Sequence, residues 1–169
     1  MTLWPIITHA LLYGVLLSAV LFPLILVVVW VNPEIMLNDY PPDIQARYGP
    51  MSERSKRQRI PVAILVIAVM IGIVAWSFPD VGKNPEGGLS FFPVFLHLLV
   101  MFQAFNLLDW LVLDWLIVVT LRPRFMILPG TEGLAGYGDY GFHFKGFLIG
   151  TVITLFTSLL VAVVVAALF

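Results

Sequence analysis

Apolar residues along this chain come in long unbroken runs, not in alternation with polar ones. A bilayer core of about 30 Å needs about 20 apolar residues of helix to cross it. Four runs reach that length: about Leu3 to Val31, Ile60 to Phe78, Leu89 to Leu121 and Phe147 to Phe169. Strands of a membrane barrel would alternate over segments of about ten residues, and stretches such as Val62 to Val74 do not alternate. The pattern therefore predicts an all-α, integral membrane four-helix bundle, with residues 1–169 forming a single membrane domain. The first run is over-long, so it should tilt or kink, and Pro23 is the natural kink site. Helices one and two do not resemble three and four, which argues against an inverted-repeat transporter.

Composition supports this reading. The chain has 169 residues, 60% of them hydrophobic and 11% charged, and a mean hydropathy of +1.00. A soluble domain carries about 25% charged residues. A net charge of −1 gives no support to a nucleic-acid partner. The absence of cysteine excludes disulfides, thiol catalysis, Cys-ligated zinc and Cys-ligated iron–sulfur clusters. No Lys or Arg precedes the first apolar run, and that run exceeds a signal-peptide core, so the first helix is expected to be retained.

Orientation is read from basic residues near the helix ends. The loop from Asn32 to Arg59 carries Arg47, Arg54, Lys56, Arg57 and Arg59; the loop from Arg122 to Gly146 carries Arg122, Arg124 and Lys145. The loop between helices two and three carries only Lys83. Both longer loops are therefore expected in the cytoplasm and both termini on the outer side. This describes a multi-pass protein of a bacterial or archaeal cytoplasmic membrane. Arg54, Lys56, Arg57 and Arg59 sit where they would fix topology, and anionic lipid headgroups are candidate partners for them.

Helix four carries small residues at every fourth position: Gly146, Gly150, Thr154, Ser158, Ala162 and Ala166. Helix one has a shorter row, Ala10, Gly14 and Ser18. Such rows let helix backbones approach closely. They serve either packing within the bundle, the favoured reading, or a homo-oligomer seam through Gly146, Gly150, Thr154, Ser158 and Ala162.

Polar groups at membrane depth default to a functional reading because they are costly there. Helix three holds His97, Gln103, Asn106, Asp109 and Asp114. On an α-helical wheel Gln103, Asn106, Asp109 and Asp114 share a broad face of roughly 140°, while His97 lies off it, nearer the outer surface. The Asp-Trp pair occurs twice, at Asp109-Trp110 and Asp114-Trp115. Either helix three is one long tilted span to Leu121, the reading favoured by the apolar stretch Leu111 to Leu121, or it ends near Leu108 with the tryptophans in the interfacial belt. The carboxylates could carry a proton, a cation or a ligand. Equally, they could pair structurally with Arg122, Arg124 or Lys145.

The third loop contains Phe125-Met-Ile-Leu128, which could lie in the interface, and then a glycine- and tyrosine-rich stretch from Pro129 to Gly146. Glycines permit close backbone approach, so this loop could clamp a headgroup or planar ligand, or simply turn. It lacks the phosphate-loop pattern. Asp139 and His143, four apart, could join Glu132, Asp109 and Asp114 in an oxygen-rich set, but that spacing is common by chance and no metal is assigned. His9 and His97 both fall near the outer side, which permits a haem between them. Two scattered histidines carry little signal, however, and no cofactor is assigned. In the first loop, Pro41 and Pro42 offer a helix start and Gly49 a stop.

Three functions follow as expectations. The first is a small ion- or ligand-handling protein of transport type, using Gln103, Asn106, Asp109 and Asp114. The second is a membrane enzyme with a cytoplasmic-face site of Asp109, Asp114, Glu132, Asp139 and His143. The third is an accessory or scaffold subunit without chemistry.

Overall fold

The computed structural model describes residues 3–78, 81 and 89–168. Four helices are long and apolar enough to cross a membrane: Trp4–Val31, Glu53–Ser77, Phe91–Leu121 and Tyr140–Leu168. This is the architecture of a multi-pass membrane protein. The order is α1 (Trp4–Val31), a 3-10 turn (Pro33–Asp39), α2 (Pro42–Tyr48), α3 (Glu53–Ser77), α4 (Phe91–Leu108), a π-helical continuation (Asp109–Leu121), two short 3-10 turns (Arg124–Met126 and Ala135–Gly138) and α5 (Tyr140–Leu168).

Local chemistry sets these boundaries. α1 carries Pro23 inside it, remains one element and ends at Asn32, whose side chain accepts from Glu34 N at 3.2 Å. α2 starts on Pro42 and stops at Gly49, whose φ of +92° suits glycine. α3 begins at Glu53, earlier than the expected Ile60, because Ser52 caps it by accepting from Ser55 N at 3.3 Å. The basic cluster from Arg54 to Arg59 is thus the opening of a helix rather than the end of a loop. α5 likewise begins at Tyr140, before the expected Phe147, with the Asp139 carboxylate accepting from Phe142 N at 2.9 Å.

The spanning helices pack chiefly in the order α3, α1, α4, α5. α1 and α4 are central, and their shared core includes Ala10, Leu17, Leu21, Leu98 and Met101. A side chain at Gly14 would run into Met101 O and the Ala104 methyl, so this glycine sets the closeness of the α1–α4 crossing. On α5, Gly150 stands against the Asn106 side chain, Thr154 Oγ1 donates to Gln103 Oε1 at 2.9 Å, and Ser158 and Ala162 are buried. The small-residue row from Gly150 to Ala162 is therefore occupied within the chain, while Gly146 faces open space. The outward faces of α3 (Ile60, Ile64, Ile67, Ile71) and α5 (Val152, Ile153, Phe156, Leu160) are exposed and apolar, as a lipid-covered surface requires.

The two longer loops meet at one end of the bundle. Leu37, Tyr40, Ile44, Met51, Leu128 and Tyr137 form a second, smaller core there. Tyr40 donates to Met126 O at 2.7 Å, Gly136 N to Asp43 Oδ2 at 2.9 Å, and Arg47 Nε to Gly130 O at 3.2 Å. The stretch Phe125 to Leu128 joins this cap, with Leu128 fully buried in its core. Glu34 ties the cap to α3, accepting from Ser52 N, from Ser52 Oγ at 2.8 Å and from Ser55 Oγ at 2.6 Å.

Candidate functional site

Where the cap meets the spanning helices there is a cleft of about 800 Å³. Asn106, Asp109, Trp110, Leu113 and Asp114 form its floor, on α4 and the π segment. Ile25 and Val29 of α1 line one wall, and His143, Phe147, Gly150 and Ile153 of α5 the other. Asn38, Asp39, Tyr40 and Tyr137 reach in from the cap.

The floor owes its shape to the π segment. Its backbone hydrogen bonds span five residues, as Arg122 N to Ile117 O at 2.9 Å shows, and the Thr120 hydroxyl also donates to Trp115 O at 2.6 Å. Residues five apart come nearly into register on such a helix, whereas an α-helix would splay them. The repeated Asp-Trp pair has this spacing. Asp109 and Asp114 accordingly both line the cleft, and the Trp110 and Trp115 rings touch edge-on at 4.5 Å. Trp110 stacks on Phe147 at 4.6 Å, and Trp115 meets Tyr140 at 5.3 Å, which fixes the π segment against α5. The segment ends at Arg122 in the left-handed conformation, φ +46°.

His143 is almost wholly buried, with Nδ1 3.1 Å from Asp114 Oδ1. Among the described residues, the Asp109 carboxylate has no hydrogen-bond partner, and no Arg or Lys bridges either aspartate. Arg122 instead donates to Val119 O at 3.1 Å, and Lys145 lines the cleft without an ion pair among the described residues. Asp39, Asp109 and Asp114 are close enough to interact electrostatically. Asp39 opens onto the cleft, yet desolvation by the surrounding protein pushes its carboxyl above the usual aspartate range. The Arg59 charge opposes that rise, and the Asp114 charge adds to it. Burial likewise raises the Tyr40 hydroxyl, helped by Tyr137 and Asp39.

The expected site residues fall into three places. Asn106, Asp109, Asp114 and His143 come together at the cleft. Gln103 is committed to packing: its Nε2 donates to Thr151 Oγ1 at 2.9 Å and its Oε1 accepts from Thr154. Asn106 serves both roles, since its Nδ2 also donates to Phe147 O at 3.1 Å. Glu132 and Asp139 do not line the cleft. Glu132 closes its own turn by accepting from Gly130 N at 3.1 Å, and Asp139 caps α5. The five-residue acid/imidazole set therefore does not assemble as one site. Among the described residues, no three His, Cys, Asp or Glu side chains are placed to hold a metal ion. In the basic cluster, Lys56 pairs with Glu53 at 2.7 Å on the surface, Arg54 and Arg57 are exposed, and Arg59 acts on Asp39.

At the opposite end of the bundle, His97 is fully buried with Nε2 2.8 Å from Ser77 Oγ. Its ring lies 5.2 Å from that of His9, a direct ring contact that leaves no slot for a haem between them.

Sequence reasoning did not single out Asp39, Tyr40, Tyr137 or Lys145 as site residues. The first three arrive through loop-to-loop packing, which carries no periodic signal. The i, i+5 repeat of Asp-Trp was the available sign of the π turn.

Comparison of the chain with protein-family models, with curated proteins and with solved structures finds no match.

Proposed function

We propose that this chain is a ligand-handling membrane protein whose site is the cleft beneath the cap, and that the ligand presents a positive charge to Asp39, Asp109 and Asp114. One observation carries this reading: carboxylates from the cap and the π segment line one cleft, with no Arg or Lys ion-paired to them among the described residues. A scaffold would be expected to satisfy Asp109 internally, because an unpaired carboxylate at bilayer depth is costly. The aromatic lining of Trp110, Phe147, Tyr40 and Tyr137 suits an organic cation as well as its charge does. The basic residues at this end of the bundle support a cytoplasmic placement of the cap.

The enzyme reading keeps one feature, the His143–Asp114 pair, which has the geometry of an oriented base. Among the described residues no Ser, Thr or Cys lines the cleft to serve as a nucleophile, so binding is favoured over acyl-transfer chemistry. The test uses the lipophilic cation tetraphenylphosphonium as the probe, with the purified protein in nanodiscs. Replacement of both aspartates, Asp109→Asn with Asp114→Asn, should weaken its binding about tenfold or more, whereas Glu132→Gln and Asp139→Asn should leave it unchanged. Equal binding by all variants would remove this function.

A further inference from the structure

The cleft extends beyond the cap as a groove along the bilayer face of the bundle. α1 and α5 each pack mainly on α4, not on each other, so α4 forms a floor between two walls. Ile25 and Val29 line the α1 wall, and Ile149 and Ile153 the α5 wall. Ile149 and Ile153 are 52% and 58% exposed, and belong to the same outward apolar face as Val152 and Phe156. The groove thus opens sideways onto the surface that lipid covers. From Gly146 to Ile153 it follows α5 for about 10 Å.

Its two ends differ in chemistry. The inner stretch is apolar. The cap end carries Asp39, Asp109 and Asp114 together with His143. His143 is almost fully buried, spends Nδ1 on Asp114, and has no partner for its other ring nitrogen among the described residues. Among the described residues, Lys145 is the single basic side chain in the lining apart from this imidazole. The charge of the head end is therefore complementary to a cation, and the groove to a hydrocarbon chain.

We infer that the ligand is a membrane-borne amphiphile with an ammonium-type head, which enters laterally between α1 and α5. The head docks at Asp39, Asp109 and Asp114, and the chain lies against Ile25, Val29, Ile149 and Ile153. This rests on the proposed ligand-handling function and adds the class of ligand and its route.

The experiment places the full chain in nanodiscs of zwitterionic lipid and titrates a long-chain primary alkylamine brominated on its chain. Bromine quenches tryptophan at short range. The chain has five tryptophans, so one variant keeps only Trp110, in the cleft, and a control keeps only Trp76, which is exposed on α3. Saturable quenching of Trp110 is expected, with only linear, partition-type quenching of Trp76. The alkyl sulfate of the same chain length should give no saturable component. Propylamine, the free head without a chain, should not displace the bound probe. Ile153→Phe, a change at an exposed position that narrows the groove, should weaken the probe about tenfold. Displacement by propylamine at equal concentration would overturn the amphiphile assignment and leave a site for free cations. Saturable quenching by the sulfate would overturn the charge assignment. Identical quenching of Trp110 and Trp76 would remove lateral entry, and an unaltered signal in the Asp109→Asn, Asp114→Asn variant would remove the site altogether.

Discussion

The imidazole of His143 stands 3.1 Å from the carboxylate of Asp114, joining α5 to the π segment at the floor of the cleft. These residues come from different spanning helices, and their meeting depends on a helix that changes its hydrogen-bond pattern at Asp109. His143→Gln retains a hydrogen-bonding side chain but loses the ring. It should keep the fold and weaken binding of tetraphenylphosphonium to the cleft less than loss of the two aspartates does. Comparing binding curves of the two variants in nanodiscs measures this order.

Helix spacing should be sensitive to single methyl groups. Gly14→Ala places a carbon against Met101 O and Ala104, and Gly150→Ala against the hydrogen-bonded Asn106 amide. Each should cost about 1–3 kcal/mol through overpacking. Gly146→Ala meets nothing and should be neutral. Thermal unfolding in detergent, followed by circular dichroism, separates the three.

Two carboxylates outside the membrane should respond to pH in opposite directions. Glu34 is desolvated, which alone would raise it, but hydrogen bonds from Ser55 and Ser52 outweigh this and hold it below the ordinary 4.5. Its contribution to stability is present above that value and lost as pH falls through the lower, folded one. Asp39 is held above the ordinary 3.8, chiefly by desolvation. Its contribution is present at low pH and lost as pH rises through the raised value. Glu34→Gln should therefore lower Tm at neutral pH and Asp39→Asn raise it, with both differences shrinking in acid. A Tm series across that range gives the sign of each.

The cap depends on a few long-range hydrogen bonds. Tyr40→Phe removes the bond to Met126 O and Asp43→Ala the acceptor for Gly136 N. Each should cost about 1 kcal/mol and speed tryptic cleavage at Arg47 and Arg124, both exposed, by several-fold. Digestion of intact vesicles or nanodiscs resolves those fragments.

The four spans, the small-residue rows and the polar concentration on helix three were legible in the sequence, because bilayer thickness and helical periodicity leave direct marks on residue order. Boundaries moved where capping overrode hydropathy: Ser52 and Asp139 start α3 and α5 among polar residues. The site was only half visible. Asp109, Asp114 and His143 stand out as polar groups in apolar runs, whereas Asp39 and Tyr137 reach the cleft only because two loops pack on a shared core. Glu132 and Asp139 looked like chemistry and instead close a turn and cap a helix, a distinction set by local backbone geometry.

A water-accessible cleft is expected to reach Asp109 and Asp114 of the π segment. The chain has no cysteine, so single cysteines can be placed at 109, 114, 98 and 132 and challenged with a membrane-impermeant maleimide in nanodiscs. Positions 109 and 114 should label at rates approaching that of the exposed 132, while 98, fully buried between α1 and α4, should stay unmodified. If 109 and 114 prove as inert as 98, the aspartates are sealed in the bundle and the cleft is not a binding site.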